Sequence, residues 1–556
     1  MTPPPPPTLQ IRSNESSSAK GRSLHATRPF RPGQTIHAFA APRLALASTT
    51  HLARVCSHCL RPGDPRACSR CRAAFYCDPA CQAAAWAAVH ARECKALRRR
   101  RQGSDRPAAL LPTPVRALVQ ALLVDETARA LAPLEGHVPR RRNQGRGHLG
   151  LDGGGGWQDL QMMAMAGCAF AGMEGTEDEV TRAVDLLCKI QTNAFHRYDA
   201  DLGQVGIFLE PTLAMANHSC VPNALVQFIG RKGILTAERP IEAGDEVEIS
   251  YTDYTYPLTK RQQALASYCF ECRCPRCKDD LNVYQVGAAS PRNIIPDGLS
   301  LVPDPFSRLR NHPAVNDAGK QVLVKAHGES ATMSTERRTM PQDSLHERHE
   351  MLLAQYRDCA GLVAAEMWAV TPVPQLLTEI SIYYAERGDF AFALAVACFV
   401  ATACDPYRYA AYFHPVRAKN VLMIAKLLAN TAEGTTALNQ AVESITTRAD
   451  LDQKIRETLR DIDQVSLCQM LLIMVLRSAP AGHADGWEVA VAAREMLQDI
   501  EQLPGRDKEL PLITAWMQDP SDEQCRAFFD YAVVQQVDAL ASLGRAVLQV
   551  KFGTGA

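Results

Sequence analysis

The apolar residues of this chain change their period twice. From about residue 107 to 195 they recur at helical spacing. Val115, Leu118, Val119, Leu122 and Leu123 share one face, and Val180, Val184, Leu187 and Ile190, with Cys188, share another. Thr176 to Glu179 reads T-x-x-E, a capping box for the second of these helices. Beyond residue 195 the runs shorten into strands at Val205 to Leu209, Ala224 to Ile229, Ile234 to Glu238 and Glu246 to Tyr251, with turns at Gly230 to Gly233 and Ala243 to Asp245. Nearer the start, Lys20 to Ala26 and Gln34 to Phe39 flank a Pro32-Gly33 turn and predict a hairpin or short strand pair. From His346 onward the helical period returns, with Val421, Ile424, Leu427 and Leu428 in a helix opened by His414-Pro415. The pattern predicts an α+β chain of several domains.

Three stretches break the pattern. Residues 1–19 are rich in Pro and Ser and are expected to be disordered. Arg140 to Gly156 combines basic residues with a Gly153 to Gly156 run and predicts a flexible exposed loop, and residues 281–345 are expected to be a linker. The remaining exception is Asn217-His218-Ser219-Cys220-Val221-Pro222-Asn223, a polar loop set between the apolar runs Val205 to Met215 and Ala224 to Ile229. Buried polar groups need partners, so such a loop closes on itself or on something it binds. An Asx turn accounts for one of these residues and not for all of them.

Composition narrows the class. In 556 residues Lys plus Arg number 60 and Asp plus Glu number 60, so no overall charge announces a nucleic-acid or membrane partner. The proline run Met1 to Pro7 lacks the apolar core of a secretory signal, and no apolar stretch is expected to span a bilayer. These features predict an intracellular protein. In a reducing compartment, 19 cysteines suit metal binding better than disulfides.

Eight of the metal-binding candidates fall between residues 56 and 94: Cys56, Cys59, Cys68, Cys71, Cys77, Cys81, His90 and Cys94, spaced C-x2-C, C-x2-C, C-x3-C and H-x3-C. Eight ligands fill two tetrahedral zinc sites with none left over. The two-residue gaps suit tight turns, and the three-residue gaps place both ligands on one helical face. So little apolar sequence lies here that metal must supply the stability.

Taken together and in order, these motifs resemble a known family. Asn217 to Asn223 is similar to the NHSCxPN signature of SET-domain protein methyltransferases, Gly244 to Tyr251 resembles their G-E-E-I-x-x-x-Y strand, and Phe270 to Cys277 resembles the cysteine-rich segment after SET. With the 56–94 pattern, which matches the MYND finger, the order is that of the SET and MYND domain (SMYD-type) protein-lysine methyltransferases. The resemblance is sharp over about residues 20–280. It implies a small knotted β-fold SET domain with an inserted finger and helical insert, a post-SET zinc segment and an α-helical lobe resembling tetratricopeptide repeats. The implied boundaries are 20–54 for the N-terminal part of SET, 55–95 for the finger, 96–195 for the insert, 196–256 for the catalytic core, 257–280 for post-SET and 346–556 for the lobe.

The resemblance also implies residue roles. Lys20, Gly21 and Arg22 lie where S-adenosylmethionine would bind, with Ser23 replacing a family glycine. Asn193 of Gln191 to Phe195 would lie near the cofactor, Asn217 and His218 would hold its adenosine, and Phe270 would lie against the adenine. Tyr251 would supply the catalytic hydroxyl and also bind the cofactor, and Phe195 and Tyr268 would wall a lysine channel. Cys56, Cys59, Cys77 and Cys81 would hold one zinc, and Cys68, Cys71, His90 and Cys94 a second. Cys220 would complete a third with Cys272, Cys274 and Cys277, leaving the adjacent Cys269 out. A protein or peptide lysine is the implied substrate, with a proline-containing peptide as a partner of the finger. A monomer in cytoplasm or nucleus is expected. Arg98 to Arg101 and Arg140 to Arg142 support nucleic-acid contact only weakly. The alternative function is a catalytically inactive, zinc-dependent scaffold or transcriptional cofactor.

Overall fold

The computed structural model describes residues 7–13, 21–99, 110–143, 156–199, 203–289, 299–302, 305, 309, 312–315, 345–431, 435–446, 451–506 and 508–553. Lys20, Arg100, Arg101 and most of the Gly153 to Gly156 run therefore lie outside the described residues. Its contacts divide the chain into two compact units, residues 1–254 with 258–274, and residues 255–257 with 275–556.

The first unit is built on short sheets. Strands β1 (Leu9–Ser13) and β2 (Arg22–Ala26) pair antiparallel. This corrects the expectation of disorder for residues 9–13: they pair residue by residue with β2, and ladder hydrogen bonds hold an otherwise exposed segment. Strand β3 (Thr35–Phe39) pairs with Lys232–Ala237, which also pairs with Ala224–Ile229, and β4 (Leu44–Ala47) pairs with Gly203–Leu209, which also pairs with Phe195–Asp199. Strands β5 (Arg66–Ala67) and β6 (Phe75–Tyr76) form a small hairpin within the 56–94 segment. After the insert come β7 (Phe195–Asp199), β8 (Gly203–Leu209), β9 (Asn217–His218), β10 (Ala224–Ile229), β11 (Lys232–Ala237) and β12 (Glu248–Ile249). The last predicted strand is reduced to two residues that pair in parallel with β9, because side-chain and turn bonds replace the rest of its ladder.

Helices flank the sheets. Helix α1 (Pro79–Ala85), a π turn over Trp86–His90 and α2 (Ala91–Arg99) run on from the small hairpin, and the π turn falls where the ligand candidate His90 sits. The insert consists of α3 (Thr113–Leu123), α4 (Asp125–Leu131), α5 (Val138–Asn143), α6 (Trp157–Ala171) and α7 (Glu177–Asn193). The expected apolar faces are buried in α3 and α7 apart from Leu122, Leu123 and Val180, which are half-buried, and the Thr176–Glu179 capping box forms. Helix α6 escaped prediction because methionine and alanine surround it and blur its period. The basic segment is corrected in part: residues 138–143 are helical and Arg141 is 1% exposed, since its guanidinium finds buried acceptors. Helix α8 (Leu258–Leu265) closes the unit.

The second unit is helical throughout its described residues. It opens with α9 (Pro275–Lys278) and α10 (Val283–Ala289). The linker expectation for 281–345 is thus corrected for its described parts. Tyr284 is buried, its ring stacks on His312 at 4.3 Å and its hydroxyl accepts the Ala369 N–H at 2.9 Å, while Leu299, Leu301 and Val302 are buried too. Helices Val373–Glu386 and Phe390–Phe399 form a hairpin around Gly388, whose φ of +81° suits glycine. The run Phe390–Arg408 is 19 helical residues and apolar enough to cross a membrane, contrary to the expectation from sequence, but 72% of its apolar 18-residue window is buried inside the protein. It packs against the final helix, Gln535–Lys551, where Gly544 lies against the Ala395 carbonyl.

Candidate active site and zinc centres

Among the described residues three clusters of four ligand atoms form, each with all atoms within 4.8 Å of one another: Cys56, Cys59, Cys77 and Cys81; Cys68, Cys71, His90 and Cys94; Cys220, Cys272, Cys274 and Cys277. These are the sets implied by the resemblance. Around a tetrahedral ion with bonds of about 2.3 Å, sulfurs stand roughly 3.8 Å apart. Cys59 and Cys77 are 3.8 Å apart, Cys71 Sγ and His90 Nε2 3.7 Å, and Cys220 and Cys272 4.0 Å. The donor sets and spacings fit zinc.

The surroundings orient the ligands. His90 Nδ1 lies 2.7 Å from Glu93, which leaves Nε2 for the metal. Glu93 is 1% exposed and also accepts from Arg116 Nε (2.8 Å) and Gln120 Nε2 (2.8 Å) of α3. Burial alone would push this carboxyl up, but the Arg116 charge and its bonds to His90 and Arg116 hold it well below the usual carboxylate range. The finger is thereby fastened to the insert. Sequence gave no sign of this, since Glu93 and Arg116 carry no spacing signature. Gln262 of α8 holds the third cluster, donating to the Cys272 carbonyl (2.8 Å) and accepting its N–H (3.0 Å).

The polar loop 217–223 closes against residues 246–251. Asn217 Nδ2 donates to Arg22 O (3.1 Å) and Glu246 Oε1 (2.8 Å), and Asn223 bonds Glu246 O (2.9 Å) and the Glu248 N–H (2.9 Å). Tyr251 comes back over the loop, its hydroxyl donating to the Ala216 carbonyl at 2.7 Å. Its ring lies 4.8 Å from Tyr268, 5.3 Å from His218 and 6.3 Å from Phe270. Burial pushes the Tyr251 phenol well above its ordinary value, and burial, with Tyr198 nearby, pushes that of Tyr268 up to about 12. Both hydroxyls therefore stay protonated at neutral pH.

The other candidates are held by separate contacts. Phe195 makes its ring contact with Phe228 at 6.0 Å, in a second aromatic group continued by Phe208. Asn193 donates to the Glu135 and Lys189 carbonyls, both at 2.8 Å, and the Arg22 guanidinium binds the neighbouring Pro133 carbonyl. Gly21, with φ of +68°, has open space where a Cβ would stand. Ser23 lies inside β2, where extended backbone suits any residue, and its hydroxyl is 2.9 Å from His25 Nε2. The departure from glycine is thus absorbed. Arg140 and Arg141, read from sequence as loop residues, tie the segment bearing Tyr268 to the insert, through Cys269 O (2.5 Å) and Ser267 O (3.3 Å), and Arg141 also donates to Thr192 Oγ1 (2.9 Å) within the insert.

Comparison with known proteins agrees with the zinc geometry. The MYND finger family matches residues 56–94. The chain is 30% identical over 235 residues to SET domain and MYND-type zinc finger protein 6 of Schizosaccharomyces pombe, covering 42% of this chain and 45% of that protein. It is 30% identical over 272 residues to mouse histone-lysine N-methyltransferase SMYD3, covering 47% and 60%, and 28% identical over 265 residues to histone-lysine N-methyltransferase ASHR1 of Arabidopsis thaliana, covering 47% and 53%. The matches thus span about half the length of these curated relatives. A solved SET domain of LSMT, bound to lysine and AdoHcy, aligns over 94% of this chain and 91% of its own at 12% identity and a TM-score of 0.20, too low to bear on the fold.

Proposed function

We propose that this chain, which carries a MYND finger and is related in sequence to the SET and MYND domain proteins, is an S-adenosylmethionine-dependent protein-lysine N-methyltransferase. The observation that carries the proposal is the ring group of Tyr251, Tyr268, Phe270 and His218 over the 217–223 loop, beside a four-cysteine cluster. Gly21, Arg22, Asn193, Asn217 and Phe270 would hold the cofactor, with open space where a Cβ at Gly21 would stand. Lys20 would join them. S-adenosylmethionine, when bound, supplies a methyl group carried on a positively charged sulfur.

The chain's own part is to prepare the amine. A free lysine has a pKa of about 10.4 and is almost wholly protonated at neutral pH. Walls made by Tyr251, Tyr268 and Phe195 would desolvate the ammonium form and favour the neutral amine. The Tyr251 hydroxyl, its proton committed to the Ala216 carbonyl, keeps lone pairs to accept a bond from the amine and aim its nitrogen. A protonated phenol orients without acting as a strong base. The substrate is proposed to be a protein or peptide lysine, the finger to take a proline-containing peptide, and the protein to act as a monomer in cytoplasm or nucleus, where thiols stay reduced.

Titration calorimetry of zinc-replete protein with S-adenosylmethionine, followed by transfer of labelled methyl groups to extract proteins, tests the assignment. Tyr251→Phe should leave cofactor binding intact and lower transfer by about 10²- to 10³-fold, the usual cost of one donor or acceptor at a reacting centre. No binding heat from folded, metal-replete protein refutes the enzyme and leaves only docking by the finger.

A further inference from the structure

Resting on the methyl-transfer reading above, we propose that His218 is a positioning residue, not a side-chain ligand of the cofactor. Its imidazole joins the Cys220 thiolate of the third zinc centre to the backbone of Tyr251 and so fixes the catalytic hydroxyl. The backbone N–H of Tyr251 donates to His218 Nδ1 at 3.0 Å. A backbone N–H only donates, so Nδ1 bears the lone pair and the ring proton of a neutral imidazole sits on Nε2. Nε2 lies 3.2 Å from Cys220 Sγ, which it meets as a donor. Both ring nitrogens are thus engaged by protein atoms.

The loop holds Tyr251 at two points. Residue 216 accepts from the phenol at 2.7 Å, and residue 218 accepts from the main chain at 3.0 Å. In parallel, β9 pairs with β12 and the Ser219 N–H donates to Ile249 O at 2.9 Å, so the backbone two residues before Tyr251 is fixed to the same loop. The His218 ring also lies 5.3 Å from that of Tyr251 and 5.9 Å from that of Phe270. His218 is 6% exposed and Cys220 1% exposed, so these bonds operate away from bulk water. A hydrogen bond to a zinc-bound thiolate steadies the anionic ligand, and the same ring carries that order on to the tyrosine.

Two substitutions separate the two bonds. In His218→Asn, the side-chain oxygen occupies roughly the Nδ1 position and keeps the Tyr251 acceptor, but the amide is too short for Cys220. In His218→Gln, the amide nitrogen reaches the Nε2 position and keeps the donor to Cys220, while Tyr251 loses its acceptor. The full chain is purified zinc-replete, and far-ultraviolet circular dichroism checks that each variant is folded. His218→Asn should release one of its three zinc ions to a chromophoric chelator about 10- to 100-fold faster, and should lose less in kcat than His218→Gln. His218→Gln should hold zinc like the parent and lose about 10- to 100-fold in kcat, with the dissociation constant for S-adenosylmethionine unchanged by calorimetry.

Parental zinc release by His218→Asn overturns the Cys220 link, and parental kcat in His218→Gln overturns the Tyr251 link. A variant that weakens cofactor binding about tenfold while sparing zinc release and kcat makes His218 a cofactor ligand after all. Failure of the parent itself to bind cofactor defeats the enzyme assignment, and zinc release then still decides the contact with Cys220.

Discussion

Replacing Glu93 with leucine removes a carboxylate that links a finger ligand to the insert. Four donor contacts converge on it, from His90 Nδ1 (2.7 Å), Arg116 Nε (2.8 Å), Arg116 Nη2 (3.2 Å) and Gln120 Nε2 (2.8 Å). Arg116 is 5% exposed, so Glu93→Leu strands a guanidinium away from water. Breaking one side of such a pair costs about 3–5 kcal/mol. For a unit of this size, each kcal/mol moves the melting temperature by about 2–4 °C, which gives a fall of about 6–20 °C. Loss of the carboxylate behind His90 should separately weaken zinc at the Cys68, Cys71, His90 and Cys94 site by about 10- to 100-fold. Differential scanning calorimetry and chelator competition read the two effects apart. The double variant Glu93→Leu with Arg116→Met removes the stranded charge as well. Its melting temperature should recover most of the loss while zinc stays weakly held, because His90 still lacks its partner. Two results refute the reasoning: a double variant no more stable than the single, or parental zinc affinity in Glu93→Leu.

Two other expectations concern the helical unit. Asp405 is 1% exposed, and burial pushes its carboxyl up against the opposing influence of the Arg408 charge and the Asn420 bond. An acid whose folded pKa is raised binds its proton more tightly in the fold, so its contribution is most favourable at low pH and is lost as pH rises through the folded value. Asp405→Asn should therefore melt higher than the parent at pH 7.5, with the gain shrinking toward pH ~4 as Asp405 becomes protonated; a gain that grows on acidification contradicts the sign. Gly544→Ala drives a Cβ into the Ala395 carbonyl and should destabilise by about 1–3 kcal/mol or more. Gly361→Ala, in the helix Ala360–Ala364 with open space around it, should stabilise by about 0.4–1 kcal/mol. Urea denaturation of the pair checks the contrast, and equal effects refute it.

What the sequence determined by itself was local. Ligand spacings at 56–94 and 272–277 specify which cysteines are close, because turns and single helical faces fix geometry over three or four residues. The periods of α3 and α7, the capping box at Thr176 and the strand at Ala224–Ile229 were legible for the same reason. The joining of Cys220 to residues some fifty positions later, and the roles of Asn217 and Tyr251, came from family resemblance and not from spacing. Tertiary structure alone decided which polar groups meet across long separations: Glu93 with Arg116, Arg141 with Ser267, Ala216 with Tyr251. Such partners have no sequence period. A buried charge or carbonyl takes whichever partner folding brings within about 3 Å. The same principle explains the errors: residues 9–13 and 283–289 lack a strong apolar pattern of their own and are ordered by the strand or helices they meet.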